Sequence, residues 1–476
     1  MKVKKLYLNI NNNHVINKLS FNSKNIEYND VFYAIKGKDF DGNDYIEEAI
    51  YNGAKTIVYQ GNINEKHKMI NYINVIDVRK QLARDAKVFY SDISKKIKLI
   101  GVTGTNGKTT TTTLLYKYLR YNNIGASLIG TNGIFINDNH YITNNTTPSI
   151  IEIYDVIKKS IKQKIKYVIM EVSSHAIKLN KIYGLKFNTV LLTNITQDHL
   201  DFHKTFSDYL YTKALFLVKE NTNVLINKDI PEFLFLNSIS NSIVTSFGKT
   251  SKEYNISDIN ETIDESSFKL SIYGKSYFVK TKMLAEFNIY NIVGMIAILD
   301  KLHLFDEKVF NFLKSDIEIP GRLDKVIDSE RTIIIDFAHT PDGVEKILNF
   351  LNKVKKMNII TVIGCGGDRD KEKRPIIGRI VTRLSDFVIF TSDNPRTENP
   401  NKIIDDIIVG CENKNYVVVV ERKEAIKTAM DIAREKDIVA ILGKGNEEYI
   451  KINNEIINFN DLEEVKKIIL ENNKNE

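Results

Sequence analysis

The stretch Gly101-Val-Thr-Gly-Thr-Asn-Gly-Lys-Thr-Thr110 carries residue types suited to a polyphosphate. Glycines let a turn bring backbone N–H groups up to an anion, and the N-terminus of a following helix adds partial positive charge. Lys108 would reach the β- and γ-phosphates, and the Thr109 hydroxyl suits Mg²⁺. Val102 stands where the strict phosphate-loop pattern has its first glycine, so the candidate loop is Gly104, Thr105, Asn106, Gly107, Lys108, Thr109 and Thr110. Glu171 follows the apolar run Tyr167-Val-Ile-Met170, where its carboxylate can hold Mg²⁺ beside a triphosphate. Asp198-His199-Leu-Asp201-Phe-His203 sets two His and two Asp within six residues of a chain that has 8 His in all. That density points to a metal or phosphate role.

Asp336-Phe-Ala-His339-Thr-Pro341 also follows an apolar run, as do Gly364-Cys-Gly-Gly-Asp-Arg369, Asp393-Asn394-Pro395-Arg396 and Gly443-Lys-Gly-Asn-Glu447. Arginine grips carboxylates through two parallel N–H bonds. Arg369 and Arg396 with Glu447 therefore suit an amino acid, which has both acid and amine. Two features are ambiguous alone. Lys213, within Tyr209-Leu-Tyr-Thr-Lys213-Ala-Leu-Phe216, has the position of an exposed helical lysine. Asn288 and Asn291 head a helical run and suit either caps or contacts to a base.

These residues need elements that bring them together. Ile97 to Ile100 reads as a strand and Thr111 to Leu119 as a helix, so the glycine loop sits in a strand–turn–helix unit. Tyr167–Met170 and Thr189–Thr193 are continuous apolar runs, as buried parallel strands should be. Ser267 to Ile272 alternates and suggests a hairpin; Tyr290 to Leu299 reads as a helix. Thr332–Asp336, Asn358–Ile363, Phe387–Phe390 and Ile438–Leu442 read as strands separated by helices, a second doubly wound unit. Earlier in the chain, Val31–Ile35, Tyr45–Tyr51 and Thr56–Tyr59 read as strand, helix and strand. In open α/β sheets ligands bind at the carboxyl ends of strands, and apart from Lys213, Asn288 and Asn291 the residues above follow such runs.

At 476 residues the chain suggests three domains. We expect an α/β protein with a small α/β domain over 1–96, a central phosphate-loop ATPase-like domain over 97–317 and a C-terminal Rossmann-like domain over 318–476. Hydrophobic content of 43% and charged content of 27% are those of a globular protein. The net charge of +7 comes from scattered Lys and Arg, a solvated surface and not a nucleic-acid footprint. Met1-Lys-Val-Lys-Lys5 is not followed by the apolar core of a signal peptide, and no run is long enough to span a bilayer. Cys365 and Cys411 make no disulfide framework or zinc spacing. A cytoplasmic protein is expected, with no nucleic-acid or membrane partner, working as a monomer.

Taken in order, Gly104-Thr-Asn-Gly-Lys-Thr109, Glu171-Val-Ser-Ser-His175, Asp198-His-Leu-Asp201, Asp336-Phe-Ala-His-Thr-Pro341, Gly364-Cys-Gly-Gly-Asp-Arg-Asp370 and Asp393-Asn-Pro-Arg396 resemble the motifs of the Mur ligases. These are ATP-dependent amide ligases of peptidoglycan precursor synthesis. The resemblance covers nearly the whole chain. It implies that the N-terminal domain holds the UDP group, with Ser23 in a turn, Asn22-Ser23-Lys24, that departs from the family's Asp-Ser-Arg. Thr146, Thr147 and Ser173 would contact the muramoyl peptide. Lys181 stands where the family has arginine, and Leu179 where it has glutamine. Lys213 matches a lysine the family carbamylates, giving a carboxylate that binds a second Mg²⁺ with His199. Asn288 and Asn291 match an adenine-side motif whose usual preceding Gly-Arg is Ala285-Glu286 here. Arg322, Asp336 and His339 would complete the ATP site.

The Asp393-Asn394-Pro395-Arg396 signature resembles that of the diaminopimelate-adding members, and lysine-adding members lack its arginine. Diaminopimelate has a second carboxylate for Arg396, whereas lysine would leave the guanidinium unpaired. Arg369, Gly443 and Glu447 match the remaining amino-acid contacts, and Asn446 replaces the family's usual His. The implied reaction joins UDP-N-acetylmuramoyl-L-Ala-D-Glu to meso-diaminopimelate, with ATP as co-substrate and two Mg²⁺. Alternatives are the same ligation with lysine or meso-lanthionine, or a phosphate-loop NTPase that needs no amino acid.

Overall fold

The computed structural model describes residues 1–475 apart from Asn9, Lys38, Asp39, Asn64, Asn144, Lys219, Glu220 and Glu330. The chain divides into two compact units. The first comprises Met1–Thr103, Leu119–Val190 and Leu215–Thr222; the second comprises Gly104–Tyr118, Leu191–Ala214 and Asn223–Glu476.

In the first unit, strands Leu19–Ser20, Val31–Tyr33, Thr56–Tyr59 and Asn71–Asn74 form a parallel sheet in sequence order. Val31–Tyr33 and Thr56–Tyr59 are buried throughout, which explains their unbroken apolar character. Helix Ile46–Tyr51 stops at Asn52, and Gly53 follows at φ +117°, where a Cβ would lie 2.9 Å from the Tyr28 backbone. The same unit holds parallel strands Lys98–Thr103, Tyr167–Glu171 and Ala126–Gly130, with Tyr167–Glu171 between the other two. Antiparallel strands Gly133–Ile136 and Asn139–Tyr141 follow. Helix Ile150–Lys162 starts at a capping box, Ser149 with Glu152, and buries Ile153, Tyr154, Val156 and Ile157.

In the second unit, Asn223–Asn227 pairs in parallel with Val244–Gly248. The expected hairpin around Ser267 is a three-stranded antiparallel meander, Tyr254–Glu261, Ser266–Ile272 and Lys275–Thr281. Helix Glu286–Lys301 is buried from Ile292 to Leu299. That stretch is apolar all round because protein surrounds it.

The C-terminal sheet of this unit has six strands in the order Asp324–Asp328, Arg331–Asp336, Ile438–Leu442, Ile359–Ile363, Phe387–Phe390 and Tyr416–Val418. The first is antiparallel to its neighbour and the rest are parallel. Alternate residues build a core on each face. Ile334, Val388, Ala440 and Leu442 pack with helices Pro341–Val354, Lys373–Leu384 and Pro400–Ile408. Ile333, Ile335, Ile389 and Ile441 pack with helices Arg422–Ile432 and Asp461–Asn475. This is the expected doubly wound arrangement. Register aligns Asp336, Leu442, Ile363 and Phe390 in one row, so the four polar turns that follow them share one edge. Among the described residues no helix is long and apolar enough to cross a membrane.

Candidate active site

Strand Lys98–Thr103 runs into the glycine loop, and helix Lys108–Tyr121 begins on Lys108. Two glycines are dictated by close approach. A Cβ on Gly104 (φ +151°) would lie 1.9 Å from Thr193 Oγ1, and one on Gly107 (φ +84°) 2.3 Å from Asn291 Oδ1. The residues just after strand Thr189–Leu192 hold the loop. Thr193 Oγ1 donates to Asn106 O at 2.6 Å, Asn106 N donates to Asn194 Oδ1 at 2.9 Å, and Thr105 N donates to Asn194 O at 3.0 Å. Lys108 Nζ folds back on the loop, donating to Gly104 O at 2.9 Å and Thr105 O at 2.8 Å. The loop is thus shaped by neighbouring side chains before any anion arrives.

Lys213 is not the exposed helical lysine its sequence position suggests. It is 1% exposed, its Nζ donates to Gly104 O at 2.8 Å, and it lies 4.8 Å from the Tyr209 ring centre. Tyr209 is buried too and shares a hydrogen bond with Thr105 Oγ1 at 2.9 Å. Burial, reinforced by the Lys108 charge, holds the Lys213 amine well below its ordinary pKa. His199 sits at φ +56° with Nε2 3.3 Å from Asp198 Oδ2. Burial of Asp198 raises its pKa, but His199, His339 and Lys373 outweigh it and hold the carboxyl below the usual carboxylate range. His203, from the same motif, is a packing residue: it is buried, and its Nδ1 meets Asp208 at 3.1 Å.

Other expected nucleotide residues converge on the same loop. Asn291 accepts from Thr111 Oγ1 at 3.3 Å and donates to Asn288 Oδ1 at 3.0 Å; both asparagines are buried. Neither caps its helix, whose N-cap is Ala285. Arg322 Nη2 donates to Thr109 Oγ1 at 3.3 Å, and its guanidinium lies 4.7 Å from the Phe337 ring centre. Asn106 Nδ2 donates to Asp342 Oδ2 at 2.9 Å. Asp336 accepts from Leu323 N and Ala338 N, both at 2.7 Å. Burial lifts its pKa to about 6, against the pull of Arg322. Burial and the Lys373 charge lower His339 to about 4, so its imidazole is neutral at pH 7.

In the first unit Glu171 is 1% exposed at the end of its strand and accepts from Thr131 N at 2.8 Å and Thr131 Oγ1 at 3.2 Å. A Cβ on Gly130 would come within 2.3 Å of its Oε1. Thr147 Oγ1 donates to Glu171 O at 2.9 Å and accepts from Ser173 N at 3.1 Å. Thr146 meets Thr131 at 3.1 Å. Lys181 Nζ donates to Thr147 O at 3.0 Å, so a lysine reaches the same cluster. Burial lowers its pKa, and Arg79 adds to the effect. Ser23, at the head of a short turn in the N-terminal sheet's own region, hydrogen-bonds Glu48.

The residues expected to meet an amino acid gather beyond the aligned strand ends. Arg396, at φ +53°, donates from Nη1 to Gly367 O at 2.7 Å. Burial, then the nearby Arg369 charge, lowers its pKa. Asn394 Nδ2 donates to Glu447 Oε2 at 2.7 Å. Asp393 is buried, and a Cβ on Gly443 (φ +112°) would sit 3.0 Å from its Oδ2. Pro395 is buried and its carbonyl abuts Gly367. Cys365 is buried, and burial raises its thiol to about 11, which suits packing and not nucleophilic chemistry.

Sequence reasoning assigned no role to Thr131, Thr193, Asn194 or Lys444. The strand-end rule reaches Thr193 and Asn194, which directly follow an apolar run. The same rule reaches the turn that holds Lys444, but a lone lysine beside a glycine is too common to single out, and Thr131 gives no signal at all.

Family models match three segments: residues 15–90 to the Mur ligase family, catalytic domain, 102–299 to the Mur ligase middle domain and 321–445 to the Mur ligase, glutamate ligase domain. The chain belongs to the Mur ligase family. A relative from Clostridium tetani, a UDP-N-acetylmuramoyl-L-alanyl-D-glutamate--2,6-diaminopimelate ligase, is 39% identical over 98% of each chain. A protein of the same description from Aquifex aeolicus is 38% identical, covering 95% of this chain and 93% of its own. A solved structure of a ligase so described superposes with a TM-score of 0.70 at 27% identity over 99% of both chains. The Thermotoga maritima MurF ligase, solved with ADP, shares the fold with a TM-score of 0.63 at 20% identity, covering 89% of this chain and 93% of its own.

Just before helix Glu286–Lys301 this Mur ligase holds one residue in a glycine-like conformation. Ala285 keeps φ +73° and ψ 143°, a conformation that glycine adopts freely and alanine does not. Glu286 pairs with Lys249 at 2.6 Å.

Proposed function

We propose that this Mur ligase adds meso-diaminopimelate to UDP-N-acetylmuramoyl-L-alanyl-D-glutamate, converting ATP to ADP and phosphate, in peptidoglycan synthesis. The observation that carries the amino-acid assignment is the cluster at the strand ends, where the Arg369 and Arg396 side chains both flank Gly366 and Asn394 hydrogen-bonds Glu447 next to the buried Asp393. Two cations and two acids match a diamino diacid. The names of full-length relatives support the same reading.

A carboxylate is a poor electrophile, so the D-glutamyl carboxylate first attacks the γ-phosphorus and ADP leaves. The diaminopimelate amine then attacks the acyl phosphate, the amine gives up its proton, and phosphate departs with the C–O bonding electrons. Lys108 and Arg322 neutralise charge on the moving phosphoryl group. Asn288 and Asn291 support the adenine side, and Asp336 and His339 serve from the C-terminal domain. Thr146, Thr147, Ser173 and Lys181 hold the muramoyl peptide, and Ser23 serves the UDP end.

Magnesium, when bound, supplies positive charge to the phosphates. Among the candidate donors, the Thr109 hydroxyl and the buried Glu171 carboxylate are oxygen ligands of the kind magnesium takes, and His199 is the third residue that the family resemblance assigns to it. Among the described residues no three His, Cys, Asp or Glu side chains cluster as a cage. Magnesium suits such a sparse set because it retains waters and phosphate oxygens. Lys213 adds a carboxylate once its neutral amine attacks carbon dioxide and loses a proton to form the carbamate. We assign the domains as 1–96, 97–317 and 318–476, the chain as a monomer and its location as the cytoplasm.

The test is phosphate release with the UDP-muramoyl dipeptide and, in turn, diaminopimelate, lysine or lanthionine. Diaminopimelate is expected to be the best acceptor. Preference for lysine would overturn the role of Arg396, and release without any amino acid would overturn the ligase reading.

A further inference from the structure

The hairpin formed by Tyr449–Ile452 and Glu455–Asn458 adjoins the Asp393–Arg396 turn, with Ile452 bridged to Arg396. Its link to the Asp393–Arg396 turn is largely backbone. Arg396 N donates to Lys451 O at 3.0 Å, and Asn453 N donates to Arg396 O at 2.6 Å. Lys451 N donates to Asn394 Oδ1 at 2.8 Å. From the other side the buried Lys444 ties down the first hairpin residue. Its Nζ donates to Tyr449 O at 2.6 Å and to Glu447 Oε2 at 3.0 Å, and lies 5.7 Å from the Tyr449 ring centre.

Tyr449 is therefore fixed through its backbone while the residue as a whole stays 39% exposed. Its phenol lies within the fields of Glu447, Arg396, Asp393 and Arg369 together. Burial and the Glu447 charge raise its pKa, so the hydroxyl keeps its proton at neutral pH and is a hydrogen-bond donor.

We propose that Tyr449 is a specificity-determining residue of the amino-acid site, its hydroxyl donating to the far carboxylate of a diamino diacid beside Arg369 and Arg396. This rests on the amino-acid assignment of the preceding section. A phenol adds a neutral donor with few rotatable bonds, so it sharpens recognition of a carboxylate that the two arginines already attract. Lysine has no far carboxylate and gains nothing from the hydroxyl.

The experiment compares full-length wild type, Tyr449→Phe and Ile456→Ser in phosphate release with diaminopimelate and with lysine. Ile456 lies on the same hairpin and is 67% exposed, so its variant monitors the hairpin alone. Tyr449→Phe is expected to raise the KM for diaminopimelate about tenfold, the loss of one hydrogen bond to a charged group. Its kcat and its KM values for ATP and the dipeptide should not change. The kcat/KM preference for diaminopimelate over lysine should fall by about the same factor, and Ile456→Ser should match wild type. An unchanged preference in Tyr449→Phe, or an equal loss with both amino acids, would overturn the proposal while leaving the ligase reading intact. If wild type shows no diaminopimelate-dependent release, the ligase reading fails. Equilibrium dialysis of diaminopimelate then decides the proposal, with equal binding by wild type and Tyr449→Phe overturning it.

Discussion

Lys213 shows how far burial changes the chemistry of one residue. An exposed lysine is protonated at pH 7 and cannot attack carbon dioxide; this one is enclosed against Gly104 and Tyr209, and its amine is held well below its ordinary pKa. Lys213→Ala is expected to lower phosphate release at least about 100-fold, as loss of a charge-stabilising group does. A ¹³C carbamate signal grown in labelled bicarbonate should vanish in the same variant. Asp336 offers a pH test. Its folded pKa of about 6 exceeds its ordinary 3.8, so the folded state holds the proton more tightly. The resulting stabilisation is complete below about pH 4 and is lost as pH rises through 6, about 3 kcal/mol for a shift of about two pH units. Urea titrations should show the advantage of wild type over Asp336→Asn shrinking by that order between pH 4 and pH 7. Ala285, held at φ +73°, gives a prediction of the opposite sign. Ala285→Gly should raise stability by about 1 kcal/mol in the same assay, because relief of backbone strain exceeds the loss of one methyl group.

At the scale of elements, the row of strand ends makes one site from turns far apart in the chain. Unbroken apolar runs betrayed the central strands, and Phe387–Phe390 and Ile438–Leu442 lie where their sequence pattern predicts. Edge elements were not legible. Asp324–Asp328 is polar and only partly buried, and Glu455–Asn458 is exposed throughout, so neither shows a hydrophobic period. The last helix is tied in by a buried pair: Arg422 Nε and Nη2 donate to the Asp461 carboxylate, each at 2.7 Å, and Nη2 also donates to Leu442 O at 3.1 Å. Arg422→Met leaves a buried carboxylate alone and should destabilise the protein by about 3–5 kcal/mol, measured by urea unfolding. Changing Asp461 to Leu in the same chain should restore most of that loss.

At the scale of the whole molecule, the second unit joins the glycine loop to C-terminal residues more than 200 positions away through Asn106 with Asp342 and Arg322 with Thr109. A phosphoryl group bound at the loop would therefore meet Arg322 without that side chain being brought in from solvent. Arg322→Ala is expected to lower kcat about 100- to 1,000-fold, as loss of a charge-stabilising donor does, with the dipeptide KM little changed. Steady-state kinetics check it; a change in that KM alone would assign Arg322 to dipeptide binding.

The sequence by itself determined the family, the α/β architecture and the residues of the glycine loop and the strand-end turns. Those properties are local: a turn needs its glycines, and a buried parallel strand needs an apolar run. Only the tertiary structure decided that Lys213 is enclosed, that His203 packs, that Asn288 and Asn291 are not caps, and that Tyr449 stands among the charges of Glu447, Arg396, Asp393 and Arg369. Burial and electric field depend on every neighbour in space, and those neighbours come from chain segments that no local spacing connects.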